Sequence, residues 1–317
     1  MTCKEYAEKI INNIQKVIKG KNEEITVITA ALLVGGNILM EDVPGTGKTV
    51  LAKAAAKSLS CDFKRIQLTP DLLPSDITGI HFFNMKEQVF ELRKGPVFTN
   101  ILLADEINRA TPLTQSALLE CMEERQVTID GEELKLNAPF IVIATQNPVE
   151  TSGTFPLPEA QLDRFLIKMS LGYAPREQEG KILAEIGFKH PVDTLQAAAD
   201  GSLLPEMQKQ TAEINVGNAV MDYILDIGEA TRNHRSLSLG LSTRGLLALK
   251  RMSQALAAVN GESFVTPDHV QKAAKYVIPH RLISRGIPAE DAVQEIISQT
   301  PVPTENIAVN TERQPWK

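Results

Sequence analysis

Gly45-Thr46-Gly47-Lys48-Thr49 follows an apolar run, Asn37 to Glu41, and precedes a helical pattern carried by Val50, Leu51, Ala54 and Ala55. Paired glycines let the backbone curl so that successive N–H groups face one anion, and the helix start behind them adds partial positive charge. Lys48 and Thr49 complete chemistry suited to ATP. The lysine is expected to reach the β and γ phosphates and the hydroxyl to ligate Mg²⁺, with Thr46 and Val50 filling out the nucleotide-binding loop. The strict pattern has glycine where this chain has Asp42. Aspartate tolerates turn conformations better than most residues, so the loop is still expected to form. Taken alone, the stretch could also be a glycine-rich turn with a stray lysine.

A second group lies at the end of the run Ile101-Leu102-Leu103-Ala104, which delivers Asp105 and Glu106 side by side. Ligands of open α/β sheets bind at the C-terminal ends of the strands. There Asp105 would hold the Mg²⁺ shell, while Glu106 would orient or deprotonate an attacking water. A strand ending in a solvated acidic turn is the plain alternative. The next apolar run ends in Ala144-Thr145-Gln146-Asn147-Pro148, and the Asn147 amide could hold that water without adding charge. By itself Asn-Pro marks only a turn.

These residues need a scaffold that brings strand tips together. Short apolar runs alternate with helical patterns through the first half, which predicts a parallel sheet covered by helices. The expected strands are Asn37 to Glu41, Phe63 to Leu68, Ile101 to Asp105, Phe140 to Thr145 and Phe165 to Met169. The runs before Asp105 and Thr145 are apolar without alternation, as in strands buried on both faces. Two hairpins interrupt the rhythm, at about 77–92 and 127–136, the second turning at Asp130-Gly131. After Tyr173 the spacing becomes helical over Pro175 to Gly187, Val216 to Asn233, Thr243 to Asn260 and Pro267 to Val277. The expected organisation is an α/β core over 1–173, a smaller all-helical domain over 174–300, and a polar tail over 301–317.

Composition sets the outer limits. The chain has 317 residues, 43% hydrophobic and 23% charged, which suits a globular protein with its own core. A net charge of −6 disfavours broad nucleic-acid binding. Cys3, Cys61 and Cys121 match no metal or redox spacing and read as free thiols of a reducing cytoplasm. His190, His234, His269 and His280 are dispersed, so no metal beyond Mg²⁺ is expected. Neither a signal peptide nor a membrane-spanning run is visible.

The ordered set resembles the MoxR family of AAA+ ATPases, a helix-2 insert clade of P-loop proteins. It comprises the glycine loop, Asp105-Glu106-Ile107-Asn108-Arg109-Ala110, Gln115-Ser116-Ala117-Leu118-Leu119-Glu120, Asn147 and Leu157-Pro158-Glu159-Ala160-Gln161-Leu162-Asp163-Arg164-Phe165. The resemblance continues through Ser242-Thr243-Arg244, Tyr276 and Pro279-His280-Arg281-Leu282, and covers roughly 5 to 300. It implies a five-stranded AAA+ core with a helical lid. It makes Asn147 a sensor of the nucleotide and Arg164 an arginine finger serving a neighbouring subunit. Arg244 becomes a second nucleotide sensor on the lid, and Val17-Ile18 the start of the adenine pocket. It also implies a ring, often hexameric, that remodels or activates a protein client, such as one with a von Willebrand factor A domain.

Two other functions fit parts of the pattern. A DNA-translocating or helicase-like motor of the same clade would carry similar hairpins. Here, however, the second hairpin tip is Asp130-Gly131-Glu132-Glu133, whose carboxylates would be repelled by a phosphate backbone. A scaffold that binds ATP without hydrolysing it is disfavoured by the presence of Glu106.

Overall fold

The computed structural model describes residues 1–148, 153–185 and 190–303. In chain order its strands are β1 (Ile38–Glu41), β2 (Phe63–Gln67), β3 (Gly79–Asn84), β4 (Val89–Lys94), β5 (Ile101–Asp105), β6 (Gln126–Ile129), β7 (Glu132–Lys135), β8 (Ile141–Gln146), β9 (Ile167–Met169), β10 (Leu237–Leu239) and β11 (Ile283–Ser284). The first helices are α1 (Cys3–Ile14), α2 (Asn22–Leu32), α3 (Lys48–Ser58), α4 (Pro74–Thr78), α5 (Pro112–Glu124), α6 (Glu159–Leu162) and α7 (Arg176–Glu185). They are followed by α8 (Pro191–Thr194), α9 (Leu204–Ala212), α10 (Asn218–Asn233), α11 (Thr243–Asn260), α12 (Pro267–Val277) and α13 (Ala289–Gln299).

The five strands expected from the sequence form one parallel sheet in the order β2-β5-β8-β1-β9. Side chains alternate across a sheet. Ile101, Leu103, Ile141 and Ile143 therefore enter one apolar layer with Ile38 and Met40, while Leu102, Ala104, Val142 and Ala144 enter the other with Leu39. Both layers are closed by helices, which is why β5 and β8 carry unbroken apolar runs. Truncating a side chain such as the fully buried Leu103 to alanine would cost about 2–5 kcal/mol. Outer strand β2 is different: Lys64, Arg65 and Gln67 are exposed and only Ile66 is buried.

Both hairpins are present. In the first, β3 and β4 pair antiparallel with Phe83 opposite Phe90, about two residues later than the sequence pattern placed it. Ile77 is not part of it: this residue is fully buried and belongs to α4, which Pro74 opens. Gly79 sits at φ +102°, and a Cβ there would meet the Arg93 carbonyl oxygen at 2.4 Å, so the strand can begin only with glycine. The second hairpin, β6–β7, turns at Asp130-Gly131 as expected. His81 Nδ1 and Asp130 Oδ2, 2.9 Å apart, join the two hairpins.

The apolar stretch from Ile28 to Met40 splits into the end of α2, a turn and β1. Helices α1, α2, α4, α5, α6, α8, α9 and α13 are additions to the elements expected from periodicity. Helix α1 is fixed by reciprocal bonds between Thr2 and Glu5. Helices α11 and α12 span the expected residues, and α11 starts on the Ser242 hydroxyl, which accepts from the Gly245 N–H. Their buried faces, with α1, α2 and one face of the sheet, make one continuous apolar cluster. From residue 304 the expected polar tail lies outside the described residues, as do the last residues of the helix expected over Pro175 to Gly187.

Candidate active site

The tips of β1, β5 and β8 meet because these strands are neighbours in the sheet. Beyond β1 the glycine loop turns through Gly45 at φ +86° and Gly47 at φ +92° and enters α3 at Lys48. A Cβ on either glycine would meet no protein atom within 4 Å. The left-handed backbone, and not crowding, is what demands glycine here. Lys48 Nζ donates to the carbonyls of Asp42 at 2.7 Å and Val43 at 3.0 Å.

Asp42, the departure from the strict loop pattern, has its own task. Its backbone is not in the left-handed region, so glycine is not needed there. The side chain is buried, and Oδ2 accepts the N–H groups of Leu171 at 2.6 Å and Gly172 at 3.0 Å. One carboxylate thus ties the start of the loop to the chain leaving β9. Hydrogen bonds to an ionised group are each worth roughly 1.5–3 kcal/mol.

The acidic pair is held from both neighbouring strands. Asp105 Oδ1 accepts from the Thr145 hydroxyl of β8 at 2.6 Å, and Oδ2 accepts from Arg65 of β2 through Nε at 2.9 Å and a second guanidinium nitrogen at 2.7 Å. Thr145 Oγ1 in turn accepts the Glu106 N–H at 2.9 Å. Glu106 sits at φ 57°, a left-handed conformation that a non-glycine residue holds at a cost of about 1–3 kcal/mol. That turn aims its carboxylate at Gln67 Nε2, 2.6 Å away, and at Arg109, 3.2 Å away.

Lys48, Thr49, Asp105, Glu106 and Asn147 line one cavity of about 400 Å³. It adjoins a second, of about 550 Å³, which shares Gly45, Thr46, Gly47 and Val50 with the first. Val17, Ile18, Tyr173 and Ile182 give this second cavity its apolar wall. The donor set fits Mg²⁺-ATP: an apolar slot for a flat base opens onto a glycine loop, a lysine, a hydroxyl and two carboxylates.

Arg164 and Arg244 line neither cavity. They converge instead on Glu123 near the end of α5: Arg164 NH1 lies 2.9 Å from Glu123 Oε2, and Arg244 pairs with Oε1 of the same carboxylate. Asp163, the nearest acid in sequence, binds Arg281 and the Ser242 hydroxyl. The sequence pattern singles out neither Arg65, Gln67 nor Glu123. The first two had a signal: in Phe63-Lys64-Arg65-Ile66-Gln67, residues 65 and 67 share a face and pair in register with Leu103 and Asp105. Glu123 had none, because only the fold brings α5 to α11.

A family model described as "ATPase family associated with various cellular activities (AAA)" matches residues 37–167, and one for the AAA lid domain matches 229–300. The chain is 46% identical to YeaC of Bacillus subtilis (strain 168), over 95% of this chain and 96% of that protein. It is 39% identical to Chaperone MoxR1 of Mycobacterium tuberculosis, over 87% of this chain and 75% of the relative. With Protein MoxR of Paracoccus denitrificans identity is 30%, over 87% of each. A crystal structure of a protein from Cytophaga hutchinsonii superposes with a TM-score of 0.87 at 35% identity, covering 95% of this chain and 97% of the other.

Proposed function

This chain belongs to the MoxR family of AAA+ ATPases, and from that premise we propose that it hydrolyses Mg²⁺-ATP at the interface of a ring to remodel or activate a client protein. The observation that carries the reading is the meeting of Lys48, Thr49, Asp105, Glu106 and Asn147 around one cavity, beside an apolar slot. Lys48 exchanges its two loop carbonyls for phosphate oxygens, and the N–H groups of the loop face the same anion. Thr49 and Asp105 would hold Mg²⁺, whose charge screens the phosphates. Glu106, held by its turn and steered by Gln67 and Arg109, takes the proton of the attacking water. Asn147 positions that water, and Val17 and Ile18 cover the base.

Arg164 and Arg244 stand apart from their own chain's cavity, which favours action on a neighbour's triphosphate and therefore a ring. The family resemblance implies six subunits for that ring. An arginine supplied in this way can be worth roughly 10³-fold in rate. The client is read as a protein segment, as in a von Willebrand factor A domain partner, engaged by the first hairpin. Met85 (86% exposed) and Phe90 (72%) point outward there, with Phe82 and Phe83 beside them. The acidic tip of the second hairpin, pinned alongside through His81 and Asp130, favours basic residues among the apolar ones of that segment. It disfavours nucleic acid. Free Cys3, Cys61 and Cys121 suit work in the cytoplasm, and no helix among the described residues is long and apolar enough to cross a membrane.

The test is ATP turnover per subunit against protein concentration. It should rise as oligomers form, require Mg²⁺, and fall at least a hundredfold in Glu106→Gln while nucleotide binding persists. Turnover already maximal at high dilution, or stimulated by DNA in place of protein, would overturn the reading.

A further inference from the structure

Glu123 is the one carboxylate among the described residues that contacts both Arg164 and Arg244. The two arginines reach it from different parts of the chain. Arg164 follows α6 and leads into β9; Arg244 lies in the first turn of α11. Helix α5, which carries Glu123, begins beyond the Glu106–Arg109 turn at its Thr111 cap. Arg164 NH1 also donates to the Leu119 carbonyl, one turn earlier on α5, at 3.1 Å. Its Nε is buried and has no hydrogen-bond partner.

Both arginines are poorly placed without this anion. Two guanidiniums bound to one carboxylate lie close enough to repel each other. Arg244 also sits at a helix N-terminus, where the partial charge is positive and a cation is unfavourable. Arg164 has committed one donor to a buried position with no acceptor, so its remaining donors must stay in register with Glu123 and Leu119. We propose that Glu123 is a positioning residue that yokes Arg164 and Arg244 into one bidentate unit, which the chain presents to the triphosphate of its neighbour. The inference rests on the trans-acting reading of these arginines given above. Glu123 touches neither nucleotide nor water; it acts by setting the spacing and aim of the two donors it joins. Phosphate oxygens then share with Glu123 a pair already assembled, so less freedom is lost when the interface closes.

The test uses mixed rings. Arg164→Ala/Arg244→Ala subunits keep an intact nucleotide cavity but supply no arginines, whereas Glu106→Gln subunits supply arginines but do not hydrolyse. Mixing the two should restore turnover. Glu106→Gln/Glu123→Gln donors should restore about tenfold less, the equivalent of one charge-assisted hydrogen bond, with KM for ATP unchanged. Glu106→Gln/Glu123→Asp donors should recover part of the loss. Equal rescue by donors that retain Glu123 and by donors carrying Glu123→Gln would overturn the yoke while leaving the trans arginines in place. Failure of either donor to rescue, in mixtures that form rings by size-exclusion chromatography, would overturn the trans reading itself. A Glu123→Gln donor that does not enter rings at all would show a structural role and also count against the proposal.

Discussion

Gln67 Nε2 donates to Glu106 Oε2 across 2.6 Å, from the outer strand of the sheet to the tip of its neighbour. With Arg109 on the other side, this bond fixes which way the carboxylate faces. Removing it in Gln67→Leu leaves Glu106 with one partner and more rotamers. Turnover should fall about tenfold, the worth of one hydrogen bond to a charged group, with ATP affinity kept. Steady-state kinetics beside a fluorescent-nucleotide titration would check this, and a rise in turnover would mean that Gln67 restrains Glu106 from the water.

Asp42→Gly would bring the loop to its strict pattern and should make the protein worse. The change removes the acceptor of two N–H groups, on Leu171 and Gly172, at a buried site. A loss of about 2–4 kcal/mol is expected, read as a lower denaturation midpoint in urea. An unchanged or higher midpoint would refute the strut.

Thr145→Val keeps the shape of the side chain but removes the hydroxyl that Asp105 and the Glu106 N–H share. Stability should fall by about 1–3 kcal/mol, and turnover should fall further than in Gln67→Leu, since the Asp105 carboxylate and the Glu106 backbone both lose a constraint. Chemical denaturation and ATPase assays on the same preparation separate the two effects.

The cysteines predict a pH dependence. Burial, with the Glu120 charge adding to it, pushes the Cys121 thiol up to about 12, and burial likewise pushes Cys61 to about 11. Native protein at pH 8 should therefore react with iodoacetamide far more slowly than urea-unfolded protein. Since the folded values lie above the unfolded one near 9, the stability these thiols contribute is intact below about pH 9. It is lost as pH rises from there toward about 11 and 12. Fast labelling of native protein at pH 8 would contradict the burial of these thiols.

Much of this site can be read from the chain because its geometry follows from strand periodicity. Residues 105 and 147 end two apolar runs, and neighbouring parallel strands end together, so their tips have to meet near Lys48. What stays hidden depends on contacts between distant segments. Asp42 looks like a tolerated defect in the loop until its partners, 129 and 130 positions later, are visible. Arg164 and Arg244 are assigned by resemblance, and nothing in their flanking residues points to Glu123. Helix α2 is hard to read for another reason. It is apolar nearly all round, buried from Val27 through Leu32, so it shows little amphipathic rhythm.

The central sheet has two borders where a foreign strand could add. One, β9, is only three residues long, and the other, β2, carries the exposed Lys64 and Arg65. Short or charged borders discourage backbone ladders between molecules. In the proposed ring, copies of this chain would therefore meet through side chains rather than by extending a common sheet. Arg65 is thus one of two charged residues on that border while its guanidinium steadies Asp105 on the inner neighbour.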